Sequence, residues 1–137
     1  MPVKAFTLPS LLLAVLVASG CASHFTNLTP RSAVPVRTDV YHFEVQWDTS
    51  RRGANTPSVK AYVMIDETLF PMNRITGIND RWEADVPVPT AKPVISYRYK
   101  FDYTYPTLSQ PAAQSDLSTP YFLDLRSGAS PATLERK

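Results

Sequence analysis

Alternating apolar and polar residues, turn-forming clusters between the alternating runs, and the lack of any helical period predict an all-β fold for this chain. Alternation is clearest in "VISYRYKFDYTY", residues 94–105. There Ile95, Tyr97, Tyr99, Phe101 and Tyr103 share one side, and Ser96, Arg98, Lys100 and Asp102 share the other. A β-strand turns successive side chains to opposite faces, so this run reads as a strand with one buried face.

The other strands follow in chain order. "YHFEVQWD" (41–48) sets Tyr41, Phe43, Val45 and Trp47 against His42, Glu44, Gln46 and Asp48. "SVKAYVMID" (58–66) places Val59, Ala61, Val63 and Ile65 on one side, and a short strand is expected over Leu69 to Arg74. "RWEADVPVP" (81–89) aligns Trp82, Ala84, Val86 and Val88. Pro87 and Pro89 lack amide donors, which puts that strand end at an edge. "YFLDL" (121–125) aligns Tyr121, Leu123 and Leu125. Both tryptophans share parity with aliphatic core positions and are expected inside. Turn residues separate the runs at 49–57, 77–80 and 89–93. The Pro/Ser/Gln-rich stretch 106–120 reads as a long connection lying over a neighbouring face. About seven strands over 39–126 fit a β-sandwich of immunoglobulin type without its disulfide. A small barrel is the structural alternative.

Composition narrows the function classes. The chain has 137 residues, 44% hydrophobic and 19% charged, which is globular rather than disordered. Its net charge of +2 comes from interspersed signs. There is no basic stripe, so a nucleic-acid partner is not expected.

The amino terminus has the layout of a secretory signal over residues 1–20. Lys4 supplies the positive charge, Phe6 to Val17 is uncharged and mostly apolar, and Ala18, Ser19 and Gly20 are small. The run is shorter than the roughly 20 residues a spanning helix needs. It ends on Cys21, the only cysteine. Ala18-Ser19-Gly20-Cys21 resembles a bacterial lipobox, with Ala18 where leucine is usual. The resemblance implies cleavage before Cys21 and attachment of acyl chains to it. A lone thiol in an oxidising compartment has no internal disulfide partner, and thioether linkage removes that liability. Each buried methylene adds about 0.8 kcal/mol, and two or three chains anchor stably. Ala22 rather than Asp after the cysteine resembles sorting to the outer membrane. Residues 21–38 are then expected as a lipidated cysteine and flexible tether, and residues 127–137 as a loose tail. Asn27-Leu28-Thr29 fits a glycosylation sequon, a chance match in such a protein.

A second resemblance covers residues 59–103. "VKAYVMID", "FPMNR", "RWEADVPVP" and "ISYRYKFDY" look like early-set immunoglobulin-like domains, and within them are similar to glycogen-binding modules. The resemblance implies glucan contacts at Arg98 and Tyr105, one donating to hydroxyls and the other stacking on a ring. Tyr103 stands where the family has a turn glycine, and Tyr105 where it has Trp. The plain alternative pairs Arg98 with Glu44, Glu83 or Asp85 on a solvated face.

Other chemistry is sparse. Glu83 and Asp85 sit two apart on one strand face, where they are expected as solvated partners of Arg98 or Lys100 rather than an acid–base pair. His24 and His42 do not make a zinc site. No Gly-x-Ser-x-Gly or nucleotide loop occurs, and no enzyme activity, metal or cofactor is expected. Tyr62, Met64, Phe70, Met72 and Phe122 are expected to form an exposed apolar patch of the kind that marks a protein interface. The composite expectation is a lipid-anchored module of the bacterial envelope that docks a protein partner, with glucan binding as the alternative.

Replacing Cys21 with Ser is expected to leave an uncleaved precursor, read as the intact mass of the membrane-extracted chain. Normal processing of that variant contradicts the lipobox.

Overall fold

A computed structural model describes residues 23–34, 39–50, 58–88 and 92–126. The expected signal segment, Cys21 and the tail 127–137 lie outside them. Eight strands form: β1 (Ser23–Asn27), β2 (Val40–Thr49), β3 (Lys60–Ile65), β4 (Thr68–Arg74), β5 (Arg81–Pro87), β6 (Val94–Tyr105), β7 (Ala112–Leu117) and β8 (Tyr121–Asp124). The fold is all-β, as the sequence predicts. All strand pairs are antiparallel, in the order β1-β2-β5-β4-β3-β6-β7.

The order wraps into two layers that nearly close on each other. β4 makes one junction: it pairs with β3 over Thr68–Met72, then with β5 at Asn73 and Arg74. The amino-terminal segment makes the other. β1 pairs with β2, after which Ser32 bridges to Asp124 of β8 in parallel. Ala33 N–H donates to the Asp124 carbonyl at 3.0 Å, and Asp124 N–H donates to the Arg31 carbonyl at 2.8 Å. The molecule is therefore nearly barrel-like. β7 and β8 share one side of β6 while β3 takes the other. Between β7 and β8, Ser118 keeps the ladder going: its N–H donates to the Tyr99 carbonyl at 2.9 Å, and its hydroxyl accepts from Tyr99 N–H at 2.9 Å.

Every inward residue expected from alternation in β2, β5 and β6 is buried, including Trp47 and Trp82. The row on β6 organises the interior. Phe101 stacks on Trp47 at 4.7 Å and takes edge contacts from Phe25 and Trp82 at 5.7 and 5.6 Å. Tyr97 meets Phe43 edge-on at 4.9 Å. Such pairs add about 0.5–1.5 kcal/mol each beyond area burial.

Two elements correct the sequence reading. Part of the expected tether is built into the body, as β1 and as the 31–33 contact with β8. Part of the expected connection 106–120 is β7. Both strands present small or polar side chains inward, so their hydrophobic alternation is faint. β1 buries one large apolar side chain, Phe25, with Ser23 and Asn27 on the same side. Those polar groups find partners only in the folded chain. Ser23 Oγ and the Tyr103 hydroxyl both donate to Asp116 of β7, the latter at 2.9 Å.

Asn27, in the sequon, joins a polar network inside the seam. Its Nδ2 donates to the Tyr97 hydroxyl at 2.9 Å, and its Oδ1 lies 2.8 Å from the Tyr99 hydroxyl. The Tyr99 hydroxyl is also 3.0 Å from the Glu44 carbonyl and 2.8 Å from Thr29 Oγ1, which accepts from Glu44 N–H at 2.8 Å. Burial pushes both tyrosine hydroxyls above their ordinary pKa, more strongly at Tyr99, so they stay protonated donors.

Tyr99→Phe removes the hub and takes one hydrogen bond each from Asn27 Oδ1 and Thr29 Oγ1, which keep the Thr29 and Glu44 N–H donors. The expected loss is about 0.5–1.5 kcal/mol, measured by urea unfolding; an unchanged urea midpoint would mean the Tyr99 hydroxyl holds nothing in place.

Candidate functional site

The turn between β3 and β4 fixes which residues share the outer face of the second layer. Asp66 and Glu67 both adopt positive φ (45° and 66°), as a two-residue type I′ hairpin demands. The register that follows sets Met64 opposite Leu69 and Tyr62 opposite Pro71. On the other side of β3, Met64 faces Arg98 and Tyr62 faces Lys100, and Lys100 faces Leu117 of β7. Rows therefore cross four strands: Pro71–Tyr62–Lys100–Leu117, and beside it Leu69–Met64–Arg98. Ser96 and Phe122 pair in the next row.

This face mixes apolar area with positive charge. Phe122 is 59% exposed, Leu117 48% and Leu69 42%, while Tyr62 and Met64 are half-buried. Lys100 Nζ sits 5.8 Å from the Tyr62 ring centroid and bonds the Asp102 carboxylate. Among the described residues Arg98 has no carboxylate at ion-pair distance.

Two expected interface residues do not belong here. Phe70 pairs with Val63 and Met72 with Ala61, so both face inward. Met72 is buried and Phe70 packs against the core. The proline at position 71 does not shift the parity, so the outward neighbours are Leu69 and Pro71. Tyr62, Met64 and Phe122 do lie outward as expected. Sequence reasoning missed Leu69 and Leu117. Leu69 carries a usable signal, being one position off the inward phase of its strand.

The two residues matched to glucan contacts do not converge. Arg98 and Tyr105 both belong to β6 but have opposite parity. Arg98 lies on the outer face and Tyr105 packs inward beside Tyr103, ring centroids 6.5 Å apart. Seven residues of strand also separate them by about 23 Å.

The first layer presents a different outer face, polar except for Val40 and Pro87 at one end: His24, Thr26, His42, Glu44, Gln46, Asp48, Arg81, Glu83 and Asp85. Its charges pair among themselves. His42 Nδ1 is 2.9 Å from Asp85 Oδ1, and His42 Nε2 is 3.7 Å from Glu83 Oε2. Arg81 Nε lies 3.1 Å from Glu44 Oε1, with its N–H off the line to that oxygen. The expected pairing of Arg98 with Glu44, Glu83 or Asp85 is therefore corrected, because β6 belongs to the opposite layer. Among the described residues no three His, Cys, Asp or Glu side chains are placed to hold a metal ion.

A pocket of about 130 Å³ opens at one barrel end between Trp47, Trp82, Arg74 and Asp80. Among the described residues neither buried indole N–H has an acceptor, at a cost of about 1–3 kcal/mol each. Arg74 lies 6.0 Å from the Trp82 ring centroid. A shallower groove of about 540 Å³ borders the outer face at Lys60, Asp102, Thr104 and Ser115.

Comparison with protein-family models, curated proteins and solved structures finds no match for this chain.

Asp102 ties this face together. Partial burial works to raise its pKa, but hydrogen bonds from Lys100 and Ser115 and the charges of Lys100 and Lys60 outweigh that and hold it below the usual range. A depressed folded pKa contributes stability above the unfolded value, about 3.9, and loses it as pH falls through the folded value. Asp102→Asn is therefore expected to flatten the fall in urea midpoint between pH 5 and pH 2. An unchanged acid limb would mean the pair contributes nothing.

Proposed function

We propose that this chain is a lipid-anchored protein of the bacterial envelope, non-enzymatic, whose β domain docks a protein partner through the outer face of the second layer. The observation that carries the docking reading is the arrangement of Leu69, Met64, Tyr62, Leu117 and Phe122 around Arg98 and Lys100. Water-exposed aromatic and aliphatic groups gain by being covered, and Arg is among the residues enriched where proteins meet. An uncommitted guanidinium in an apolar surround favours a partner that supplies a carboxylate among apolar groups. The opposite face, whose charges already pair internally, offers less to a partner.

The anchor reading is supported by the sequence around Cys21, where an uncharged run after Lys4 ends in small residues and the chain's sole thiol. Outer-membrane placement is supported by Ala22. The immunoglobulin-like reading is supported by strand order. Such a sandwich sets its first, second, fifth and fourth strands in one sheet and its third, sixth and seventh in the other. Here β1-β2-β5-β4 runs into β3-β6-β7, with β4 turning from one layer to the other. The weaker likeness to glycogen-binding modules gains no support at Arg98 and Tyr105, since one ligand does not reach both.

A photo-crosslinking residue at Leu69, in the native membrane, is expected to yield one discrete protein adduct. The same residue at Asp85 on the other face is expected to yield none. Arg98→Glu is expected to reduce the Leu69 adduct at least about tenfold. Equal adducts from both faces, or indifference to Arg98→Glu, argue against this docking face.

A further inference from the structure

We infer that one end of the barrel rests on the lipid surface, with Leu108 and Ile78 entering the headgroup boundary; the inference rests on the anchor reading at Cys21. Only Ala22 separates Cys21 from Ser23, the first residue of β1. Two residues of extended chain reach about 7 Å. An acylated Cys21 therefore leaves no room for a long leash, and the barrel end that bears Ser23 lies against the bilayer.

Strand direction identifies what else shares that end. Ser23 pairs with Thr49 at the end of β2, and β5 starts beside it, Arg81 opposite Gln46. β6 finishes and β7 starts there too, Tyr105 opposite Ala112. The loops 75–80 and 106–111 consequently project from the Ser23 end. Their sequences, "ITGIND" and "PTLSQP", hold a single charge, Asp80. The strand ends behind them add Asp48, Arg74 and Arg81. The connection from Thr49 to Ser58 contributes Arg51 and Arg52 in sequence, cations that suit anionic headgroups. Leu108 is fully exposed and Ile78 is 42% exposed. Leu108 is presented on a closed turn: the Thr107 hydroxyl donates to the Gln110 carbonyl and accepts from Gln110 N–H at 3.3 Å. This leaves Leu108 and Ser109 at the tip. An apolar tip on a fixed turn loses little freedom on entering an interface.

The far end has the opposite character. It exposes Val34 and Val40, but among Arg31, Asp39, Asp66, Glu67, Lys92 and Arg126. Charged groups favour bulk water over the acyl boundary, whereas an exposed leucine gains by leaving it. Of the described loops, those at the end nearest the anchor thus carry the apolar tips suited to lipid, Leu108 foremost.

The test uses the full chain, processed in a Gram-negative host, purified in detergent and reconstituted into vesicles of phosphatidylethanolamine and phosphatidylglycerol. Leu108→Cys and, separately, Val34→Cys are labelled with an environment-sensitive thiol dye and titrated with an aqueous quencher. An acylated Cys21 cannot react, so one dye per chain is expected. The dye at 108 is expected to emit at shorter wavelength and to be quenched at least about threefold less than the dye at 34. One dye per chain with equal quenching at both positions overturns the membrane-facing end and leaves the anchor standing. Two dyes per chain mean a free thiol at position 21, which overturns the anchor and this inference with it.

Discussion

The inward row of β6 is the constraint on which the rest of the structure depends. One strand of twelve residues carries Ile95, Tyr97, Tyr99, Phe101 and Tyr103 into the interior, every one of them buried. Its backbone supplies both neighbours of the second layer, β3 on one side and the β7–β8 edge on the other. Its rings reach the first layer through Phe43, Trp47 and Trp82. Tyrosine suits this position because its body is apolar and its tip is polar. The same side chains that fill the barrel hold Asn27, Thr29 and Asp116, and through them the amino-terminal segment and β7.

Closure by side chains has a consequence for the seam. Between β1 and β7 the two layers meet through Ser23, Tyr103 and Asp116 rather than through a backbone ladder. A buried polar network specifies one arrangement because each alternative leaves a group unpaired. The opposite balance is struck at Trp47 and Trp82. There both rings pack on Phe101 while their indole N–H groups find no acceptor among the described residues.

Parity also divides the surface by chemistry. Outward residues of the first layer are polar and pair among themselves, as His42 does with Asp85. Outward residues of the second layer combine leucine, methionine and aromatic groups with Arg98 and Lys100. The two ends differ in their described loops, one set carrying Asp66, Glu67 and Lys92 and the other the apolar tips Leu108 and Ile78. A body divided so, fixed to a bilayer at its Ser23 end, would present the apolar, cationic face sideways along the membrane.

The sequence by itself determined the all-β class, six of the eight strands and the inward residues of all of these but β4, because alternation over large side chains is a local signal. It also singled out Tyr62, Met64 and Phe122 as outward-facing and Cys21 as the point of chemical interest. Only the tertiary structure decided the fate of residues 23–33 and 112–117. Apart from Phe25 and Ala112, the inward positions of these two strands are Ser, Asn, Gln and Asp, and the burial of Ser23, Asn27 and Asp116 becomes favourable only once Tyr97, Tyr99 and Tyr103 arrive from distant sequence. It likewise decided that Phe70 and Met72 face inward, since the tight turn at Asp66 and Glu67 fixes their register against β3. That Arg98 and Tyr105 part company was written in their odd separation along one strand, but became a statement about function only when the two faces of β6 proved to look into different surroundings.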